Sequence, residues 1–141
     1  MTSTEITLHR YYLWANRMRT HLHLFGDAPE DEMERKLWLN AVFSYKAMWL
    51  SLLYVVAEGW QELKLDDPRV NGLLLSSHLG VLRRFRNGAF HFQKDYFDER
   101  FTDFLTSEPA AQQRAKELHE SIGEWFLRRA QESFGPFRDG A

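Results

Sequence analysis

Apolar residues recur every three or four positions along most of this chain, and this spacing predicts amphipathic helices. The clearest stripe lies near the C-terminus and consists of Ala111, Ala115, Leu118, Ile122, Trp125 and Phe126. No run alternates between apolar and polar residues for long enough to predict a strand. The pattern therefore predicts an all-α fold, a four- to five-helix bundle that forms one domain over residues 1–141.

Capping residues mark the ends of the first two predicted helices. Thr2 and Glu5 have the spacing of a capping box, and Gly26 is a natural stop for the helix that they begin. A second helix is predicted to open around Pro29, with the acids that follow it in the first turn, where the helix dipole favours them. It is expected to end near Gly59 after about 30 residues.

The second half of the chain contains further helix boundaries. Asp67-Pro68 has the form of a cap followed by a first helical residue, and Ser76-Ser77 is a candidate cap for the next helix. A short helical segment is predicted over residues 96–105, and Ser107-Glu108-Pro109 is predicted to open the final helix. The remaining residues, about 135–141, begin with Gly-Pro and are predicted to form a C-terminal tail.

The second predicted helix is expected to be the centre of the bundle, because residues 49–57 are apolar on more than one face. The five tryptophans are interpreted as core or dimer-interface residues. His119 alternates with charged neighbours and is placed on a solvent-facing side of the last helix.

Composition narrows the class of protein. With 44% hydrophobic and 27% charged residues, the chain resembles a soluble globular protein. Cysteine is absent, which excludes disulfides, a thiolate nucleophile and Cys-ligated metals. The N-terminus has no signal-peptide pattern, and the longest apolar stretch, residues 41–57, is interrupted by Lys46 and too short to span a bilayer. The expected location is the cytoplasm, without membrane contact.

Positive charge collects in one segment although the net charge is −2. Residues 76–94 contain no acidic residue. Their cations are Arg83, Arg84, Arg86 and Lys94, and the aromatic residues between these cations are Phe85, Phe90 and Phe92. Cations that pair with phosphates beside rings that stack on bases are typical of single-stranded RNA sites. The alternative is an ordinary helix with phenylalanines in the core and arginines in solvent. The acids Asp95, Asp98 and Glu99 follow and are candidate partners for the arginines.

Within this segment, Arg86-Asn87-Gly88-Ala89-Phe90-His91 resembles the R-x4-6-H motif of the HEPN superfamily (higher eukaryote and prokaryote nucleotide-binding domains). The resemblance implies an all-α bundle of about this length. It also implies a homodimer with two motifs face to face, and a metal-independent endoribonuclease of the toxin or phage-defence type. An antitoxin or a nucleotidyltransferase is an implied partner. The alternatives are a HEPN-like module that binds nucleotide, RNA or a partner protein without cleavage, and an accidental match in a helical interaction protein.

The resemblance suggests roles for three residues in cleavage by RNA transesterification. His91 would be the general acid or base, Arg86 would stabilise charge on the scissile phosphate, and Asn87 would hold the imidazole or a phosphate oxygen. Four further residues are expected to bind the flanking substrate: Arg83, Arg84, Lys94 and His78. Arg84 also lies within the motif spacing and is a rival for the role of Arg86. No metal or cofactor is required, and the products would be a 2′,3′-cyclic phosphate and a 5′-hydroxyl.

A site formed by this motif requires Arg86 and His91 to face the same substrate. Residues five apart on a straight helix differ by about 140° around the axis, so Arg86 and His91 align poorly. Gly88 is therefore expected to bend the helix, or a second chain to complete the site.

Overall fold

The computed structural model describes residues 1–106 and 109–135, and in these ranges the chain is helical without a strand. The helices are α1 (Ser3–Leu24), α2 (Glu32–Glu62), α3 (Pro68–Leu74), α4 (His78–Phe90), α5 (Glu99–Thr106) and α6 (Pro109–Phe134). Two of them, α3 and α5, are short, and the other four make up the body of the bundle. The prediction of an all-α helical bundle in a single domain is confirmed, with six helices in the described ranges where the sequence predicted four or five.

The N-terminal ends of α1 and α3 have the capping hydrogen bonds that the sequence predicts. Thr2 accepts the N–H of Glu5, while the Glu5 carboxylate accepts the N–H of Thr2, which completes the capping box. Asp67 accepts the N–H groups of Arg69 and Val70 at the start of α3, with Pro68 as the first helical residue.

Both ends of α2 lie later in the chain than predicted. The helix begins after Asp31, whose carboxylate accepts the N–H of Glu34 at 3.0 Å, so Pro29 precedes the helix instead of opening it. The helix also continues past Gly59. A Cβ at that position would clash with the Cδ1 atom of Leu8, so the glycine permits α1 to pack closely against α2.

The later boundaries agree with the sequence in part. The short helix α5 begins at Glu99 and not at Tyr96, because residues 91–98 form the loop that leads into it. The helix α6 opens at Pro109, and the proposed cap at residues 107–108 lies outside the described residues. Gly135, with φ of 77°, follows the end of α6, and the rest of the predicted tail lies outside the described ranges.

The core is built around α2, as its apolar run predicts. Leu50, Leu53, Val56 and Ala57 are fully buried. The other helices contribute Leu8, Ala15, Val70, Phe85, Phe104, Ile122 and Phe126 to the same cluster. The helices α1 and α2 form an antiparallel pair, because Leu8 meets Gly59 near one end and His21 stacks on Tyr45 near the other.

Rings fill much of this core. The indoles of Trp60 and Trp125 meet edge to face with their centroids 4.9 Å apart. Phe85 contacts Phe43, Phe101 and Phe104 with centroid distances from 5.3 to 6.0 Å. This second cluster lies where α2, α4 and α5 meet, and it forms the floor of the surface described below.

The placement of His119 corrects the sequence interpretation. Its side chain is buried in the core and not on a solvent-facing side. Charged neighbours in sequence did not exclude burial, because residues next to each other on a helix point about 100° apart. The imidazole contacts Trp49, Tyr12 and Asn16, which come from α1 and α2.

By length and composition alone, α2 is apolar enough to cross a membrane, with a mean hydropathy of 1.3 over its best window. Core helices of soluble bundles pass the same test, and α2 lies at the centre of this bundle. Its N-terminal half nevertheless exposes several aliphatic side chains, among them Met33, Leu37 and Leu39.

Candidate nucleic-acid interface

The motif predicted from sequence lies at the C-terminal end of α4. Arg86, Asn87 and Gly88 are in the last turns of the helix, and His91 is the residue that caps it. The backbone N–H of His91 donates to the carbonyl of Asn87 at 3.1 Å, and the chain then leaves the helix in an extended conformation. Arg86 and His91 therefore do not lie on one continuous helix.

Arg86 packs against α2. Its guanidinium lies 4.9 Å from the ring centroid of Tyr54, and its Nη1 is 3.5 Å from Oε2 of Glu58. The side chain is only 26% exposed, and its buried Nε has no hydrogen-bond acceptor among the described residues. Within one chain, Arg86 is thus held by a carboxylate and a ring, which reduces its availability to a phosphate.

His91 lies near a different part of α2 from Arg86. Its side chain is exposed and lines a cavity of about 560 Å³, whose α2 wall runs from Leu39 to Ser44. Ser44 and Tyr54 are roughly 15 Å apart along the axis of α2 at about 1.5 Å per residue. Within one chain, Arg86 and His91 therefore have different neighbours: Tyr54 and Glu58 for the guanidinium, and the cavity lining for the imidazole.

Gly88 has a packing role at the junction of α4 and α5. It is buried, and a Cβ on it would lie 2.9 Å from the Cβ of Arg100 and 3.1 Å from the ring of Phe101. The absence of a side chain lets α5 approach α4 and positions the loop between them.

The loop over residues 91–98 is fixed by a network of polar side chains. Gln93 donates to the carbonyl of His91 at 2.7 Å and accepts from the Arg100 guanidinium at 2.9 Å. The same guanidinium pairs with Asp98, whose carboxylate also accepts the N–H of Arg100 at the start of α5. This backbone hydrogen bond is the main cause of the lowered pKa of Asp98. The network ties the loop to α5.

The loop and the last residue of α4 present four exposed rings to solvent. Phe92 is 93% exposed, Tyr96 84%, Phe97 78% and Phe90 55%. We call these four residues the ring surface. Phe92, Tyr96 and Phe97 also line the cavity beside His91, and its floor is formed by Phe43 and Phe101. A phenylalanine or tyrosine exposed to this extent contributes little to the stability of the isolated chain.

The predicted substrate-binding residues fall into two groups. Arg83 and Lys94 are exposed and form no ion pair within the described part of the chain. Arg84 pairs with Asp103 and approaches Glu99, so its charge is largely neutralised by α5. The half-buried Asn87 has no side-chain hydrogen bond in the described ranges.

His78 is placed at the opposite end of α4 from His91, roughly 18 Å along a helix that rises about 1.5 Å per residue. Its Nδ1 lies 2.8 Å from the Ser76 hydroxyl, and its side chain lines a small cavity next to α6. Contact with the surface around His91 would require a substrate that spans the length of the helix.

Sequence reasoning missed the acids that neutralise the arginines. Glu58 and Asp103 are distant from α4 along the chain, so no local pattern pointed to them. In the described ranges, no three His, Asp or Glu side chains lie close enough together to hold a metal ion.

Comparisons of this chain with protein-family models, with curated proteins and with solved structures find no match. The side chains at and beyond the end of α4 supply the chemistry that is available there. These are the four rings of the ring surface, the imidazole of His91, the carboxylate of Asp95 and the cations Arg83 and Lys94, which form no ion pair in the described ranges.

Proposed function

We propose that this chain is a HEPN-like helical module that binds single-stranded RNA on the ring surface at the end of α4. The observation that carries the proposal is the exposure of four rings within eight residues, beside an imidazole and a lysine that no acid neutralises in the described chain. Unpaired bases stack on exposed rings, and such stacking contributes about 1–3 kcal/mol per base. Stacking is tolerant of sequence, so little base preference is expected.

The cavity beside the ring surface supports the same function. Its volume of about 560 Å³ falls within the range of roughly 300–1,000 Å³ typical of small-molecule pockets. A base turned out of its strand would meet Phe43 and Phe101 below and the loop rings around it. Duplex RNA cannot present a base in this way, because its bases are stacked and paired.

Electrostatics contributes less than the basic sequence pattern suggests. Arg84 and Arg86 are occupied by acids of the same chain, which leaves Arg83 and Lys94 for phosphates. Each phosphate contact adds about 0.7 to the dependence of binding on salt concentration for a single strand. We therefore expect a slope of roughly −1 to −2, which is small for an RNA-binding protein.

Fluorescence anisotropy with a labelled 12-nucleotide RNA tests this proposal. Phe92→Ala is expected to weaken binding about tenfold, in line with the loss of one stacked base. Phe134→Ala is the matched control, because Phe134 is 75% exposed at the end of α6 and away from the ring surface. Equal affinity of Phe92→Ala and the wild type, or tighter binding to duplex than to single-stranded RNA, would refute the proposal.

A second candidate function is metal-independent RNA cleavage, and the exposed imidazole of His91 favours it. A neutral imidazole at the cavity rim can take the proton of a ribose 2′-OH. The 2′-oxygen then attacks the adjacent phosphorus, the bond to the 5′-oxygen breaks, and a proton is returned to that oxygen. The products are a 2′,3′-cyclic phosphate and a 5′-hydroxyl.

Cleavage also needs a cation at the phosphate, and Glu58 holds Arg86 away from this position within one chain. We propose that a homodimer would supply the cation, with Arg83 or the Arg86 of a second copy facing His91. An antitoxin or a nucleotidyltransferase partner is expected only if the protein cleaves RNA.

An RNA cleavage assay in EDTA separates the two candidates. Cleavage by the wild type that is lost in His91→Ala, while RNA affinity is retained, would establish the nuclease. Binding without cleavage by either protein would leave the RNA-binding module.

A further inference from the structure

A second cavity, of about 480 Å³, lies between α1, α2, α5 and α6, and its polar lining consists of cations, amides and one imidazole. Its apolar lining comes from Leu22, Trp49 and Phe104. Arg19 comes from α1, Lys46 from α2, and Lys116 with Gln112 from α6. No carboxylate lines it within the described ranges. We call it the cationic cavity, and it shares no lining residue with the cavity beside the ring surface.

Lys46 is the most unusual of these residues. Its ammonium is half-buried and donates to the neutral Oε1 of Gln112 at 2.7 Å, with no acid within ion-pair distance in the described chain. Burial lowers the pKa of Lys46 because the charged form loses hydration. The partly desolvated ammonium therefore gains from pairing with an anion, and no carboxylate of the described chain is close enough to provide one.

Arg19 is held rigidly at the wall of the same cavity. Its side chain is only 14% exposed and lies 5.6 Å from the ring centroid of Trp49. It also donates to Glu120 at 3.1 Å, and this hydrogen bond lowers the pKa of Glu120. Glu120 also interacts electrostatically with Lys116, although the two form no ion pair, so one carboxylate offsets part of the charge of Arg19 and Lys116. Lys46 has no acid within ion-pair distance in the part of the chain that is described.

We propose that the cationic cavity binds a phosphoryl group. Two ammonium groups, a fixed guanidinium and the amide of Gln112 converge from three helices and offer many donors to a compact anion. A phosphoryl group carries about −1.5 to −2 charges and three acceptor oxygens, which matches this surplus better than a single carboxylate.

The ligand is recognised by its phosphate and not by a base. Trp49 is only 7% exposed with Arg19 over its ring, and Phe104 is 1% exposed, so neither offers a free face for stacking. Inorganic phosphate, a mononucleotide and a 5′-phosphorylated RNA end are therefore sources of the same group, and affinity is expected to rise with the number of phosphates.

Calorimetric titration with pyrophosphate, at ionic strength matched with sodium chloride, tests the site in the full chain. Lys46→Met and Lys116→Met are each expected to weaken binding about tenfold or more. Lys36→Met is the matched control, because Lys36 pairs with Glu32 on the exposed start of α2. The Tm of unliganded Lys46→Met should equal or exceed that of the wild type, since a desolvated charge is removed.

Titrations with related ligands show which molecule supplies the phosphoryl group and which results would contradict the proposal. AMP and inorganic phosphate should bind alike, adenosine should not bind, and ADP should bind more tightly than AMP. An RNA that binds the cavity only when it carries a 5′-phosphate would identify that end as the source. No heat of binding with pyrophosphate, equal affinity of Lys116→Met and the wild type, or binding of adenosine would overturn the proposal. Because Phe92→Ala leaves this cavity intact, its effect on RNA is independent of the outcome.

Discussion

The indole Nε1 of Trp49 donates a hydrogen bond to Nδ1 of His119 over 3.1 Å in the core. Because Nδ1 accepts, the ring proton is on Nε2, which lies 3.0 Å from Oδ1 of Asn16 and donates to it. A protonated imidazole would turn Nδ1 into a donor facing another donor. Burial first, and the charge of Arg19 second, lower the pKa of His119 to about 4.

We predict that acid destabilises the fold through His119. An unfolded histidine takes up its proton near pH 6.5, whereas the folded one resists until about pH 4. The unfolded state therefore binds more protons in this window, and the contribution to stability, about 3 kcal/mol, is lost as the pH falls from 6.5 to 4. Urea unfolding at pH 7, 6, 5 and 4.5 measures it.

The variant His119→Gln is the control for this acid effect, because its amide can accept from Trp49 and donate to Asn16 without titrating. Its free energy of unfolding should vary less with pH than that of the wild type. His23→Gln, at an exposed residue of α1, should keep the wild-type slope. Parallel slopes for wild type and His119→Gln would contradict the assignment.

A second prediction concerns Glu5, which is buried and accepts from Arg129 at 2.9 Å. Burial alone would raise the pKa of Glu5, but the Thr2 N–H and the Arg129 guanidinium lower it overall. Arg129→Met leaves the carboxylate without its counter-charge and should cost about 1–3 kcal/mol. A double-mutant cycle measures the interaction by chemical denaturation of Glu5→Gln, of Arg129→Met and of the double variant. The coupling energy should be about 1–2 kcal/mol. Strict additivity would show that the pair contributes nothing.

A third prediction uses two glycines of α4. Gly88→Ala should destabilise the protein by about 1–3 kcal/mol, because the new methyl group meets Arg100 and Phe101 of α5. Gly80→Ala, where nothing lies within 4 Å, should stabilise it by up to about 1 kcal/mol. Thermal unfolding of the two variants gives the sign of each effect, and two changes of the same sign would contradict the packing role of Gly88.

A fourth prediction separates two arginines of the predicted site. Arg83→Met should weaken RNA binding and reduce its salt slope by about 0.7, as for a lost phosphate contact. Arg86→Met should instead reduce stability, because Tyr54 and Glu58 lose their partner. Salt-dependent anisotropy together with urea unfolding tests both. If Arg86→Met lost more RNA affinity than Arg83→Met while its stability was unchanged, Arg86 would have to be assigned a direct contact with RNA.

Local chemistry was predictable from the sequence. The capping box of Thr2 and Glu5 and the Asp67-Pro68 start involve hydrogen bonds within three residues, so the sequence spacing contains the whole interaction. The central position of α2 was likewise predictable, because an apolar run on more than one face must be surrounded.

Interactions between distant segments were not predictable. The acid-free segment 76–94 looked strongly basic, yet Glu58 and Asp103 reach Arg86 and Arg84 from other helices. The cationic cavity contains Arg19, Lys46 and Lys116 from three different helices, so no single sequence segment predicts it. His119 was misplaced because its partners Trp49 and Asn16 are far away along the chain.

The two ends of the described chain are fastened to each other. The Met1 ammonium donates to the Ser133 hydroxyl at 2.6 Å, next to the pair of Glu5 with Arg129. The first turn of α1 and the last turns of α6 therefore open as one unit, because fraying of either end breaks the same contacts. Amide protons at both ends should exchange at a common rate. A substitution that loosens the last turns of α6 should therefore also speed amide exchange in the first turn of α1.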